Sequence, residues 1–222
     1  MMQNPPAARI RLLAGVPSQE HPSTSTNRLE DVLVNHCRDT EEGYGDLLEL
    51  KQEHTSRIGF QNIGGLSATS GSAKDDFLCA SIMKYDFEMF GIVEVNINWT
   101  HLLENDRLYS RSRHWRETCS LIQTHNLKAT NRRCNQYGGV AQWTIGKDTN
   151  RIAGSGRDEH SLGRWTWVRL NGRNNKSLKI LTVYRVATPI GGPFTVYAQQ
   201  RTALLEGNNE RCPRKAFLED LG

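Results

Sequence analysis

The order of elements along the chain predicts an α/β sandwich, on three observations. A strand, a helix and a second strand come first, and several strands then follow in succession, which is not a regular βαβ repeat. The strand candidates have the right period: over 164–170, Trp165, Trp167 and Arg169 alternate with Thr166, Val168 and Leu170. At 37% hydrophobic and 8% aromatic, with five Trp, the 222 residues carry enough apolar material for a core and too much for disorder throughout.

The elements follow in order. Residues 1–54 read as a flexible tail (PP, SQEHPSTSTN, TEEGYGD) with one short helix over 27–36, where Leu29, Val32 and Leu33 share a face. A domain is expected over 55–222. Its first strand is 57–62 (RIGFQN), ended by Gly64-Gly65. A helix over 74–84 turns Phe77 and Ile82 inward and places Asp75 and Asp76 in its first turn, where the helix dipole favours acids. The run 90–95 (FGIVEV) is a buried strand, and 99–118 is a helix or an ordered loop. Three more strands are expected at 138–145, 164–170 and 178–184. Between the last two, Asn171-Gly172 is a hairpin signal inside a loop longer than two residues. Helices over 199–206 and 215–221 close the chain.

Composition excludes several classes. No window approaches the ~20 apolar residues of a membrane span, and the first residues are too broken for a signal peptide. An intracellular protein is therefore expected. The five Cys lack any paired spacing, so free and mostly packed thiols are expected, not a zinc site or disulfides. The sequon Asn98-Trp99-Thr100 is read as accidental. There is no G-x-x-x-x-G-K-[ST], G-x-G-x-x-G, H-E-x-x-H or G-x-S-x-G, and Gly154-Ser155-Gly156 is expected in a loop.

Charge is uneven. Residues 1–106 hold 8 basic and 16 acidic residues, whereas 107–173 hold 13 basic and 4 acidic, a local balance of +9 that includes four of the five Trp. Arg forks with aromatic neighbours suit phosphate and base contacts; a solvated basic face has the same composition.

Three residues are candidates for chemistry. Asn62 closes the first strand. Glu94 stands near the end of an apolar strand, where a carboxylate is costly unless paired or holding a cation. A hard ion such as Mg²⁺ would satisfy it; so would solvent or an Arg. Tyr184 ends a strand beside Arg185, a phenol and a guanidinium placed for a phosphate, or a core Tyr with a surface Arg.

Taken in order, FQNIGGL (60–66), FGIVEVNINW (90–99), GGVAQW (138–143), LGRWTWVRL (162–170) and LTVYR (181–185) resemble the endonuclease/exonuclease/phosphatase superfamily, and more narrowly the endonuclease domain of non-LTR retrotransposon polyproteins. TVYAQQ and PRKAFLEDL are similar to the helices that follow. The resemblance implies a four-layer sandwich of two mainly antiparallel sheets flanked by helices, C-terminally incomplete here. It implies phosphoester hydrolysis with Mg²⁺ or Mn²⁺, Glu94 as metal ligand, Asn62 orienting a catalytic group or the phosphate, and Tyr184 contacting the phosphate in the transition state. Nucleic acid, DNA first, would be the partner, with nuclear action. Arg132, Arg133, Arg164 and Arg185 would track its backbone. The family's later Asp-x-Asn and Ser-Asp-His motifs have no counterpart, so a partial domain, inactive alone without its missing C-terminal half, is expected. A noncatalytic nucleic-acid-binding remnant and a phosphatase for a small phosphoester are the alternatives.

Overall fold

A parallel pair begins the described fold. The structure is a computed structural model describing residues 51–113, 115, 118–128, 134–187, 192 and 194–222. The helix expected over 27–36, Cys37, Arg132 and Arg133 lie outside the described residues. Strand β1 (Ile58–Asn62) alternates exposed and buried residues, as an edge strand covered on one face does. Helix α1 (Ala73–Lys84) opens on a reciprocal cap: Ser72 Oγ accepts from Asp75 N at 3.2 Å, and Asp75 Oδ2 accepts from Ser72 N at 3.2 Å. Strand β2 (Met89–Val93) is buried along its whole length and pairs parallel with β1, Asn62 opposite Val93.

Two short 3₁₀ turns and helix α2 (Leu108–Ser112) occupy the stretch expected as helix or loop. Strand β3 (Cys119–Thr124) was not expected: it is half-buried and carries no clean alternation of polar and apolar residues. Strand β4 (Val140–Ile145) pairs antiparallel with both β2 and β3, giving a four-stranded sheet in the order β1-β2-β4-β3. Strands β5 (Ile152–Arg157), β6 (Trp165–Asn171) and β7 (Ser177–Val183) form an antiparallel three-stranded sheet. Gly154-Ser155-Gly156, expected in a loop, lies inside β5. Its glycines hide the strand from a hydrophobic pattern, and Gly156 sits beneath Trp167 of β6, where an added Cβ would come within 2.5 Å of the indole. The β6–β7 hairpin forms, but its left-handed residues are Asn174 and Asn175, not Asn171-Gly172.

The fold is thus a mixed α/β structure with two sheets packed as a sandwich. Met89 of the first sheet packs with Val168 and Leu170 of the second. Gly91 of β2 lies directly against Thr182 of β7, whose hydroxyl donates to Gln142 Oε1 of β4 at 3.2 Å. Helices α3 (Val196–Glu206) and α4 (Pro213–Leu221) form a second cluster, in which Ala203, Leu204 and Ala216 enclose Leu162, and Phe217 meets Trp165 edge-on at 5.8 Å. No helix among the described residues is long and apolar enough to cross a membrane. Cys79, Cys119, Cys134 and Cys212 are free thiols; burial pushes the Cys119 thiol up to about 11, which keeps it unreactive.

Candidate functional site

Strands β2 and β3 both run antiparallel to β4, so their C-terminal ends share one edge of the first sheet, and β1, parallel to β2, ends there too. Glu94 follows β2 at this edge in the left-handed backbone region, φ 56°. A side chain with a Cβ adopts this conformation at a cost of about 1–2 kcal/mol. The neighbours impose it. Gly65 N donates to Glu94 O at 2.7 Å and Leu66 N to Val95 O at 2.9 Å. On the other side, Asn96 (φ 60°) exchanges bonds with Gly138, N to O at 2.7 Å and Gly138 N to Oδ1 at 2.8 Å. The chain that carries Glu94 is therefore clamped between the loop after β1 and the approach to β4. Lys74 of α1 holds that first loop by donating to the carbonyls of Ile63, Gly64 and Gly65 at 3.0, 3.3 and 2.7 Å.

Glu94 and Tyr184 come together. The Tyr184 phenol lies beside the Glu94 carboxylate. Burial, then the charge of Glu94, pushes the phenol far above its ordinary range, so Tyr184 is a proton donor throughout the physiological range. The backbone places it: Tyr184 N donates to Arg164 O at 2.7 Å, one residue past β7. Both side chains line a cleft of about 530 Å³ with Gly64, Asn96, Tyr137, Phe194, Thr195 and Tyr197 among its walls. Glu94 is the only acid in the described lining, which includes no Lys, Arg or His. Tyr137 and Phe194 are 59% and 74% exposed, aromatic faces left open to solvent. Sequence reasoning missed both, since single aromatics in loop-like stretches carry no periodic signal.

Asn62 ends β1 beside Val93 but does not line the cleft. It is exposed, and its Oδ1 accepts from Gly64 N at 3.0 Å, closing the turn after the strand. Arg185 is exposed next to Tyr184. Arg164, expected on a nucleic-acid face, is a correction: it is 0% exposed and committed within the protein. Its Nε and one terminal nitrogen grip Asp158 at 2.7 and 2.8 Å, and the other reaches Asp220 at 2.9 Å. A guanidinium in such an apolar sequence must be paired when buried, and it is. The sequon Asn98 is likewise buried, with Oδ1 accepting from Thr100 N at 3.2 Å.

Glu94 is the one carboxylate that the described lining offers a hard cation. Mg²⁺ or Mn²⁺ takes one or two carboxylates and leaves its other positions to water and substrate phosphate. An ionised carboxylate such as Glu94 has about four lone-pair positions for such an ion and for hydrogen-bond donors. No group of three or more His, Cys, Asp or Glu placed for a metal occurs among the described residues. The chain matches no protein-family model and no curated protein.

Proposed function

We propose that the cleft is part of a metal-dependent phosphodiester-hydrolysing site of the DNA endonuclease type, like that of the non-LTR retrotransposon proteins the sequence resembles. The supporting observation is the Glu94–Tyr184 pair: a carboxylate held in a strained backbone beside a phenol that stays protonated, both lining one cleft. Strain of this kind persists where surrounding structure over-determines it, and such positions cluster at functional sites.

In this reading Glu94 holds Mg²⁺ or Mn²⁺, which when bound supplies Lewis acidity to the phosphoryl oxygen. Tyr184 donates a hydrogen bond and offers its proton to an oxygen gaining negative charge. Tyr137 and Phe194 give bases or sugars an aromatic wall. Asn62 stiffens the turn that carries Gly64 and Gly65 to Glu94, a positioning role. The four-layer arrangement and a nuclear site of action belong to the same reading. No described residue of the lining is placed to activate the attacking water, so little or no turnover is expected from this chain alone. That favours a second reading, a noncatalytic nucleic-acid-binding domain that retains the metal ligand.

Two measurements decide. Mn²⁺ binding followed by electron paramagnetic resonance should be weak in the wild type and lost in Glu94→Ala; equal binding by both sinks the metal assignment. Supercoiled plasmid with Mg²⁺ then separates the readings. Nicking abolished by Glu94→Ala establishes catalysis, whereas intact plasmid with a salt-sensitive gel shift leaves binding.

A further inference from the structure

A second pocket opens on the same sheet edge, where β3 ends. It encloses about 250 Å³, the volume of roughly eight waters in the liquid, and Trp99, Gln123, His125, Arg107 and Arg157 line it. Trp99 is 5% exposed; its indole nitrogen and Gln123 Oε1 are both shut off from solvent and have no hydrogen-bond partner among the described residues. Buried polar groups without partners are rare, and each calls for an explanation. No acid is in the described lining. Arg107 pairs outside the pocket with Glu104 at 2.7 Å, but both side chains are largely in water, where such a pair is weak and readily exchanged. The field inside is positive: burial first, then the charges of Arg157 and His101, lower the pKa of the buried His125 to about 4, so its imidazole is neutral at physiological pH and donates one N–H.

We propose that this pocket binds a phosphate group through Arg107 and Arg157, and that its natural source is a backbone phosphodiester of the strand whose scissile linkage lies in the Glu94 cleft. The ligand chemistry follows from the pocket alone: two guanidiniums with no carboxylate in the described lining recognise an oxyanion. Only the choice of a nucleic-acid strand over free phosphate rests on the proposed function. The pocket also gives the basic stretch 107–173 a specific place to act, which Arg164 does not.

The test is the salt dependence of binding to a fluorescein-labelled DNA duplex, read by anisotropy with the full chain. Each phosphate contact contributes about 0.9 to the slope of log K against log salt. Arg157→Ala and Arg107→Ala should each lower that slope by about one and weaken binding severalfold. Arg173→Ala, an exposed arginine in the β6–β7 hairpin, makes the same charge change elsewhere and should leave the slope alone. Equal effects of Arg157→Ala and Arg173→Ala on the slope, or none from Arg157→Ala together with no response of the His125 ring resonances to inorganic phosphate, overturn the pocket. Inorganic phosphate distinguishes the sources. If it shifts the His125 ring resonances in the wild type but not in Arg157→Ala, while the duplex slope is unchanged in every variant, the oxyanion pocket holds and the strand as its source is refuted. The outcome is separable from the proposed function, because Mn²⁺ binding through Glu94 reads that site independently.

Discussion

Replacing Arg164 by Ala tests the fold where its largest buried charge sits. Arg164 and the Asp158 side chain are almost wholly inaccessible, and the guanidinium also lies 4.3 Å from the Trp165 ring centre. The truncation leaves Asp158 with only the backbone N–H donors of His160, Leu162 and residue 164, at 3.1, 3.2 and 3.3 Å. Asp220 keeps Arg211 at 2.9 Å and His160 at 3.5 Å but loses its tie to the residue that leads into β6. Breaking a buried pair from one side costs about 3–5 kcal/mol. For a domain of this size that is a fall in Tm of about 6–20 °C. Urea denaturation followed by Trp fluorescence measures it. The double variant Arg164→Met with Asp158→Asn removes both charges and should recover at least half of the loss. The acid limb gives an internal check. Burial pushes the Asp220 carboxyl up, but the hydrogen bonds from Arg164 and Arg211 outweigh it and hold the group below its ordinary 3.8. A carboxyl depressed on folding stabilises above its unfolded pKa, and that stability disappears as pH falls below about 4. Part of this dependence should vanish in Arg164→Ala. A loss under about 1 kcal/mol, or a double variant less stable than the single, refutes the reasoning.

Three further outcomes are expected. At Glu94, Gly should be more stable than Ala by about 1 kcal/mol, the reverse of the usual order, because only the left-handed backbone penalises a Cβ there; thermal melts that place Ala at or above Gly remove the strain argument. Gly91→Ala drives a methyl into Thr182 across the sandwich and should cost about 1–3 kcal/mol, partly restored by Thr182→Ala, as urea midpoints would show. His125 has a folded pKa of about 4 against 6.5 in the open chain, caused by burial, then by Arg157 and His101. Since the unfolded state binds the proton more readily, stability should be full above about pH 6.5 and fall by on the order of 1–3 kcal/mol toward pH 4. Urea midpoints at pH 7 and pH 5 should converge in His125→Asn, and a persisting difference would assign the slope to other groups.

The chain announces those elements whose local pattern and tertiary burial agree. Strand β2 is an uninterrupted apolar run and β6 alternates Trp, Val and Leu with Thr and Arg, so both are legible in the sequence to within a residue or two. Strands β3 and β5 are not. CSLIQT has one face against neighbours and the other half-open, and IAGSGR takes its burial from the Trp167 ring of another strand. Local periodicity contains neither fact.

The same division holds for the site. Residue type and position relative to strand ends were enough to single out Glu94 and Tyr184, because a carboxylate or phenol at the end of an apolar strand needs a reason wherever the chain goes. That the two lie side by side, that the chain at Glu94 is held left-handed by the bonds of Gly65 to Glu94 and of Gly138 to Asn96, and that Tyr137 and Phe194 wall the cleft all depend on loops brought together from remote stretches. Arg164 marks the limit most clearly. By composition it is one more cation in a basic stretch. Only the packing of α4, which delivers Asp220 to an arginine already gripped by Asp158, turns it from a surface charge into a buried one. Charge is a property of the sequence, but whether a charge faces water, a ligand or a buried partner is decided by which elements close over it.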